Sequence, residues 1–239
     1  MNMKSNNELN DLFDYDYKIM QNSDYFKFSI DSLLLAEFVD VKKGHKKVLD
    51  MCSGNAPIPL ILNKKYGDAL DIVGIEIQKE IYELGRQSIE YNNVNNITFI
   101  NNDIKKYILD TKEKYDIVTC NPPYFKKSED KILNNNEIKA IARHEVAINL
   151  EEVVFCASKL LKNKGYFYLV HRAERLADII NVLKRYRFGV KRVQTIYDDV
   201  DSECCFILIE AIFNGEDYVK MGAPIFLKDH TSYKDIFRR

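Results

Sequence analysis

The sequence predicts an α/β fold: a seven-stranded, mostly parallel sheet with helices on both faces and an antiparallel hairpin at its end. The first observation is that short β-branched runs alternate with amphipathic stretches from about residue 46, as in strand–helix–strand units. The second is that only residues 198–203 separate the last two runs, which is too short for a helical crossover. These two strands must therefore pair antiparallel.

Each element follows from its local pattern. Strands are predicted where apolar and β-branched residues are concentrated. These runs are 46–52, 70–77, 97–101, 115–120, 165–171, 190–197 and 204–213. Helices are predicted where apolar residues recur three and four positions apart. These stretches are 57–65, 78–92, 150–161 and 173–186. A further helix is expected over "SLLLAEFV" (32–39), capped by Asp31 or Ser32.

The length of 239 residues fits one α/β domain with small extensions. We divide the chain into an N-terminal extension (1–45) with a short β/aromatic segment and a helix, the main domain (46–215) and a C-terminal tail (216–239). A hydrophobic content of 46% with 30% charged residues is typical of a soluble globular protein. A second large domain is not expected.

Charge and cysteine content narrow the function only a little. The net charge of −1 does not point to nucleic acid, so any basic surface must come from local clustering. The five cysteines form no C-x-x-C pair and are expected to be buried, reduced thiols, with no metal site. The N-terminus is polar, and no segment approaches the ~18 apolar residues of a membrane span. We therefore expect a cytoplasmic protein.

The segment "VLDMCSGNAPIPL" (48–60) predicts a ligand-binding turn. It reads as a strand, a tight turn with Gly54, and a helix with Pro57 near its first position, where proline is favoured. Open α/β sheets bind ligands at this point. A dinucleotide-binding loop requires G-x-G-x-x-G, of which only Gly54 is present. A phosphate-binding role is therefore disfavoured.

Acidic residues end three successive predicted strands: Asp50, Glu76 and Asp103. A carboxylate such as Glu76 suits the two hydroxyls of a ribose, because it accepts two hydrogen bonds. Asp103 and the next amide could bracket an adenine amine and a ring nitrogen. Any one of these acids could instead be a solvated loop residue or a helix cap. Their succession, followed by "NPPY" (121–124) after a fourth strand, favours a binding site.

The order Asp50-x-x-x-Gly54, Glu76, Asp103, then "NPPY" resembles the Rossmann-like class I methyltransferases that use S-adenosylmethionine, whose sheet ends in an antiparallel hairpin. More narrowly, residues 12–215 resemble bacterial tRNA (adenine-N6)-methyltransferases that modify the adenosine 3′ of the anticodon in valine tRNA. The segments that carry this resemblance are "FSIDSLLLAEFV", "DMCSGNAPIPL", "CNPPYF", "ARHE" and "LIEAIFNG". The chain departs from the family at Cys52 and Ala56, where glycine is common.

The resemblance implies a cofactor and a set of residues that bind it. The cofactor is S-adenosylmethionine. The implied cofactor-binding residues are Asp31, Asp50, Cys52, Ser53, Gly54, Asn55, Glu76, Ile77, Asp103, Ile104 and Asn121.

The resemblance also gives "NPPY" a chemical role. The lone pair of an exocyclic adenine nitrogen is delocalised into the ring, so transfer to it needs acceptors for both N–H bonds. The side-chain oxygen of Asn121 and the carbonyl of Pro122 can accept them, and Tyr124 would stack on the base. These three are the predicted catalytic residues, and no strong general base is required.

The motif defines the chemistry better than the substrate, because it also occurs in enzymes that methylate glutamine side chains, guanine N2, or adenine in DNA or ribosomal RNA. Glutamine methyltransferases of release factors carry a substantial helical domain ahead of the core, whereas only about 45 residues precede the first strand here. DNA-modifying enzymes usually have an added domain. A non-catalytic RNA-binding protein with this fold is the remaining alternative. The predicted partner is tRNA, and the protein itself is expected to be a monomer or a homodimer.

Contacts to folded RNA require cations and aromatic residues near the motif. The polar insertion 126–145 is expected to be functional. A basic run at 184–192 is expected to join the same surface. The predicted substrate-binding residues are Pro123, Phe125, Lys126, Lys127, Arg143, Arg172 and Arg175.

Overall fold

The computed structural model describes residues 6–23, 25, 30–124 and 148–229. Its strands are β1 (Asn7–Asp11), β2 (Lys18–Asn22), β3 (Lys47–Met51), β4 (Asp71–Glu76), β5 (Ile97–Asn101), β6 (Tyr115–Cys120), β7 (Leu161–Arg172), β8 (Phe188–Tyr197), β9 (Cys204–Phe213), β10 (Lys220–Met221) and β11 (Ile225–Phe226). Its helices are α1 (Ile30–Phe38), α2 (Pro57–Tyr66), α3 (Lys79–Tyr91), α4 (Ile104–Asp110), α5 (Leu150–Leu160) and α6 (Leu176–Arg185).

The predicted fold class is confirmed. Strands β5, β4, β3, β6 and β7 lie side by side in that order and are parallel. Strand β9 pairs antiparallel with β7, and β8 pairs antiparallel with β9, which forms the predicted hairpin. Two short strands of the tail, β10 and β11, pair parallel with β8 and lengthen this edge of the sheet. Separately, β1 and β2 form an antiparallel hairpin.

Three local features differ from the predictions. Helix α4 was not predicted; it is only seven residues long. Strand β7 begins at Leu161, directly after α5, rather than at residue 165. The prediction that Asp31 or Ser32 caps the first helix is wrong, because α1 is already helical at Ile30 and both residues lie in its first turn. Ile30 packs against the core, which favours the longer helix.

The core fills both faces of the sheet. One cluster joins α1, α2 and part of α3 to one face, and the other joins α4, α5 and α6 to the opposite face. Helix α1 is buried from Asp31 to Phe38. Its buried polar side chains, Asp31, Ser32 and Glu37, therefore need hydrogen-bond partners within the protein. Within the described part of the chain, no helix has the length and apolar character needed to cross a bilayer.

Candidate active site

The carboxyl ends of the parallel strands bring the predicted motifs to one edge of the sheet. Asp50 lies in β3, Glu76 ends β4, Asp103 follows β5, and Asn121 follows β6. The first turn of α1 reaches the same edge, because Ser32 contacts Asn121 there. The four strand-end residues named from the sequence therefore lie at the same edge of the sheet.

The cofactor-side loop, residues Cys52 to Ala56, turns from β3 into α2. Three of its residues have left-handed backbone angles: Cys52 (φ 58°), Gly54 (φ 57°) and Ala56 (φ 70°). Left-handed backbone costs a residue with a side chain roughly 1–2 kcal/mol. At Cys52 and Ala56, where the related sequences commonly have glycine, the loop therefore keeps the left-handed backbone that glycine adopts most readily. Pro57 is the first helical residue, as predicted.

Asp50 lies under this loop and is fully buried. Its Oδ1 accepts a hydrogen bond from Thr119 Oγ1 at 2.6 Å, across the β3–β6 pair. Its Oδ2 has no hydrogen-bond partner among the described residues. Burial raises the pKa of Asp50 to about 7. Asp50 is therefore a carboxyl group poised to ionise when a positive charge approaches.

Glu76 connects the loop to the end of β4. Its Oε2 accepts the Gly54 N–H at 2.9 Å, and its Oε1 accepts the Gln78 N–H at 2.8 Å. Burial raises the pKa of Glu76, while these main-chain donors oppose that shift. Ile77 follows with 44% of its surface exposed, which leaves an apolar face beside the carboxylate.

Asp103 is the N-cap of α4, because its Oδ1 accepts the Lys105 N–H at 2.9 Å. One carboxylate oxygen of Asp103 therefore caps the helix, which was the alternative role considered for this residue from the sequence. Asp103 remains half-buried at the sheet edge, whereas its neighbour Ile104 is buried in the core. A contact of Asp103 with a ligand stays a prediction.

Three other predicted cofactor residues direct their side chains into the protein. Ser53 Oγ donates to the Asp50 carbonyl and accepts the Ile75 N–H, so it ties β3 to β4. Asn55 Nδ2 donates to the Met20 carbonyl of β2 at 2.8 Å. Cys52 packs against the core cluster that contains the buried Cys120. Any cofactor contact of Ser53 and Asn55 must therefore come chiefly from the main chain.

Opposite this loop lies the amine-side cluster, which consists of Asp31, Ser32, Asn121 and Tyr124. Asn121 Nδ2 donates to Ser32 Oγ at 2.9 Å. The Tyr124 hydroxyl contacts both Asp31 Oδ2 and Asn121 Oδ1. Burial and the nearby Asp31 raise the pKa of Tyr124 well above its usual value, so the hydroxyl keeps its proton. One phenol proton thus serves two acceptor oxygens.

The Tyr124 ring is turned inward. It packs against His171 and Phe206, with ring centroids 5.2 and 6.0 Å away. Burial lowers the pKa of His171 to about 3, so the imidazole is neutral. Arg175 holds this end of the motif, because its Nη1 donates to the Tyr124 carbonyl at 3.4 Å. Tyr124 must rotate outward before it can stack on a base.

Sequence reasoning missed several members of this site: Ser32 as a partner of Asn121, and Thr119, His171 and Phe206 altogether. Thr119 and His171 are buried strand residues whose side-chain partners come from distant segments. Ser32 sits within a quoted motif, yet its spacing fits a helix cap equally well. The register of the strands and the placement of α1 were needed to identify them.

The basic residues are largely engaged within the protein. Arg175 is buried and its Nε pairs with Asp178 at 2.9 Å, whereas Arg172 lies 3.6 Å from Glu174 and over the Phe206 ring. Their roles in binding substrate stay predictions. Pro123 is half-buried beside the motif. The predicted residues outside the described part of the chain are Phe125, Lys126, Lys127 and Arg143.

The expectation that the basic run 184–192 shares this surface is wrong. Strand β8 runs parallel to β7, since both pair antiparallel with β9. The start of β8 therefore lies at the amino-terminal edge of the sheet, away from "NPPY". Lys184 and Arg185 also pair with Asp217 and Glu151.

No cluster of His, Cys, Asp and Glu among the described residues is arranged to hold a metal ion.

A family model described as a methyltransferase domain matches residues 42–210. The chain belongs to the methyltransferase-domain family. This methyltransferase domain has the fold of a predicted O-methyltransferase, Atu636 from Agrobacterium tumefaciens, with a TM-score of 0.63 and 19% identity over 82% of this chain and 86% of that one. The resemblance drawn from the sequence is confirmed at the level of family and fold.

Curated relatives carry a more specific name. A Haemophilus influenzae (strain PittEE) protein named tRNA1(Val) (adenine(37)-N6)-methyltransferase is 32% identical over 149 residues, which is 62% of each chain. A Cytophaga hutchinsonii protein of the same name is 24% identical over 184 residues, 77% of this chain and 75% of that one. The aligned part of the chain thus spans 62% of the length of the first relative and 75% of the second.

Proposed function

We propose that this methyltransferase transfers a methyl group from S-adenosylmethionine to the exocyclic N6 of an adenosine in tRNA, namely the adenosine 3′ of the anticodon in valine tRNA. The observation that carries the proposal is the amine-side cluster, in which Asn121 Oδ1 and Asp31 Oδ2 both contact one hydroxyl. An amino group that displaces this hydroxyl would bring an N–H donor to the same Asn121 oxygen.

The residues act on the amino group as follows. Asn121 Oδ1 accepts one N–H bond and the Pro122 carbonyl accepts the other, which draws the nitrogen lone pair out of the ring. The same two oxygens stabilise the positive charge that develops on the nitrogen during transfer. Tyr124, once displaced from Asn121, covers the base, a contact worth roughly 1–3 kcal/mol. The proton leaves after the nitrogen is methylated, so no strong base is required.

The residues opposite the cluster fit S-adenosylmethionine, which supplies a methyl group on a positively charged sulfur. The buried Asp50 Oδ2 lacks a partner among the described residues, and a cationic ligand would favour its ionised form. Glu76 offers carboxylate oxygens suited to ribose hydroxyls. Ile77 and Asp103 provide an apolar face and a half-buried acceptor at the neighbouring strand ends.

The choice of tRNA over the alternatives is supported by the relatives, whose names specify adenine 37 of a valine tRNA. Methylation of ribosomal RNA, DNA or a glutamine side chain requires the same acceptors, so the site alone does not separate them. We also propose a cytoplasmic location, because the substrate is cytoplasmic tRNA. A non-catalytic RNA-binding protein would not need the acceptor pair.

The direct test uses an unmodified valine tRNA transcript incubated with labelled S-adenosylmethionine, digested to nucleosides and separated by chromatography. We expect label in N6-methyladenosine, and none when the adenosine 3′ of the anticodon is replaced by guanosine. Label in another nucleoside, or label that survives this replacement, would contradict the proposal. Calorimetry with the cofactor tests the non-catalytic alternative, which predicts no binding.

A further inference from the structure

We infer that Ser32 is a positioning residue for methyl transfer, acting through the side-chain amide of Asn121. The inference rests on the proposed function and adds to it a residue that never touches the substrate. Ser32 lies in the first turn of α1 and is only 6% exposed. Its Oγ accepts the Nδ2–H of Asn121 at 2.9 Å.

The orientation of the Asn121 amide decides whether the site works. A carboxamide has one acceptor end and one donor end of nearly equal shape. Only the orientation with Oδ1 toward the amino group offers an acceptor; the reverse orientation places two donors face to face. In the productive orientation, Nδ2 points into the protein and needs a partner there, because an unpaired buried N–H is costly.

Ser32 supplies that partner. Without its hydroxyl, the Nδ2–H group lacks this acceptor in the productive orientation, and rotated amide conformations gain population. The neighbouring Asp31 Oδ2 contacts the Tyr124 hydroxyl. Two consecutive residues of α1 therefore hold the two functional side chains of "NPPY". Both precede residues 42–210, which match the methyltransferase-domain family, so the N-terminal extension completes the site.

The test compares Ser32→Ala and Ser32→Thr with a matched control, Ser88→Ala. Ser88 is also a buried helical serine, and its hydroxyl bonds the Met20 N–H and the Leu84 carbonyl, away from "NPPY". We expect Ser32→Ala to lower kcat on valine tRNA about 10–100-fold, as loss of a buried hydrogen-bond partner would. KM and the cofactor Kd should change little.

Rescue distinguishes positioning from general stability. Ser32→Thr keeps the hydroxyl and should recover most of kcat, whereas Ser88→Ala should lower the melting temperature and leave kcat near wild type. If Ser32→Ala does not fold, Ser32→Cys carries the same expectation, because sulfur is a weak acceptor. The wild type and each variant are compared by melting temperature, kcat, KM and cofactor Kd.

The failures are distinguishable. If the wild-type protein forms no N6-methyladenosine in tRNA, the proposed function is wrong and the role of Ser32 falls with it. If the wild type forms it and Ser32→Ala retains kcat, the inference alone is overturned. Failure of threonine to rescue, or a kcat loss matched by Ser88→Ala, overturns it as well.

Discussion

The two halves of the site are built differently. On the cofactor side of the site, main-chain N–H groups of Gly54 and Gln78 donate to the Glu76 carboxylate, and the loop from Cys52 to Ala56 has left-handed backbone angles. In the amine-side cluster, side chains from α1 and the end of β6 bind one another, and two acceptors share one proton. In the first half, main-chain donors hold the Glu76 carboxylate, whereas in the second the Tyr124 hydroxyl occupies the Asn121 oxygen that we propose binds the substrate amino group. We therefore expect mutations in the two halves to affect different kinetic constants.

The largest effect is expected for Asn121→Ala. In the proposed mechanism, this change removes the acceptor whose contact with the amino group strengthens as positive charge develops. Loss of one such group typically lowers kcat about 10²–10³-fold. The cofactor Kd, measured by calorimetry, should change far less than kcat, because transition-state stabilisation is separate from ground-state binding. An equal loss of cofactor affinity would erase the distinction between the two halves.

The converse is expected for Glu76→Ala. Two main-chain donors lose their acceptor, as would the ribose hydroxyls that we propose Glu76 binds, which should weaken cofactor binding about 10–100-fold. At saturating cofactor, kcat should recover to near the wild-type value. Glu80→Ala, in the exposed first turn of α3, is the matched control and should leave both constants unchanged. A kcat that stays low at saturation would show that the halves are coupled.

The dependence of stability on pH tests the buried carboxyl of the cofactor-side half. Asp50 has a pKa of about 7 in the folded protein, above its ordinary value of 3.8. The folded state therefore binds this proton more tightly than the unfolded chain. Its contribution is fully present below pH 3.8 and is lost as the pH rises through about 7.

Asp50→Asn removes this titration. Without cofactor, the variant should melt several degrees higher than wild type at pH 8, and the difference should shrink steadily as the pH is lowered toward 4. Thermal unfolding followed by circular dichroism at each pH measures it. Parallel pH profiles for the two proteins would contradict a raised pKa of Asp50 in the folded protein.

The smallest effect concerns backbone strain. Ala56→Gly replaces a left-handed alanine (φ 70°) and should stabilise the protein by about 0.5–1 kcal/mol, since part of the gain is offset by the freer unfolded chain. Ala177→Gly, in an exposed turn of α6, is the same substitution at a helical position and should destabilise by about 0.5–1 kcal/mol. Urea titration measures the change in the free energy of unfolding for both variants. A change of the same sign in both would contradict strain at Ala56.

The sequence predicted the cofactor-side half better than the amine-side half, for a physical reason. Asp50, Gly54 and Glu76 sit at strand ends and turns, where residue type and spacing follow backbone geometry. Ser32 and His171 act through side-chain contacts across the fold, and such contacts have no spacing in the sequence. The basic run at 184–192 was misplaced because the helix between β7 and β8 returns the chain to the amino-terminal edge of the sheet, so that β8 begins away from "NPPY".

We propose that the amine-side cluster binds the exocyclic amino group of an adenosine. The most direct measurement is a crystal structure with S-adenosylhomocysteine and the anticodon stem-loop of valine tRNA. We predict N6 of the adenosine at about 3 Å from Asn121 Oδ1 and from the Pro122 carbonyl, with the Tyr124 hydroxyl displaced. A ring nitrogen or a ribose hydroxyl bound to Asn121, or a Tyr124 hydroxyl still in place beside a bound adenosine, would contradict it.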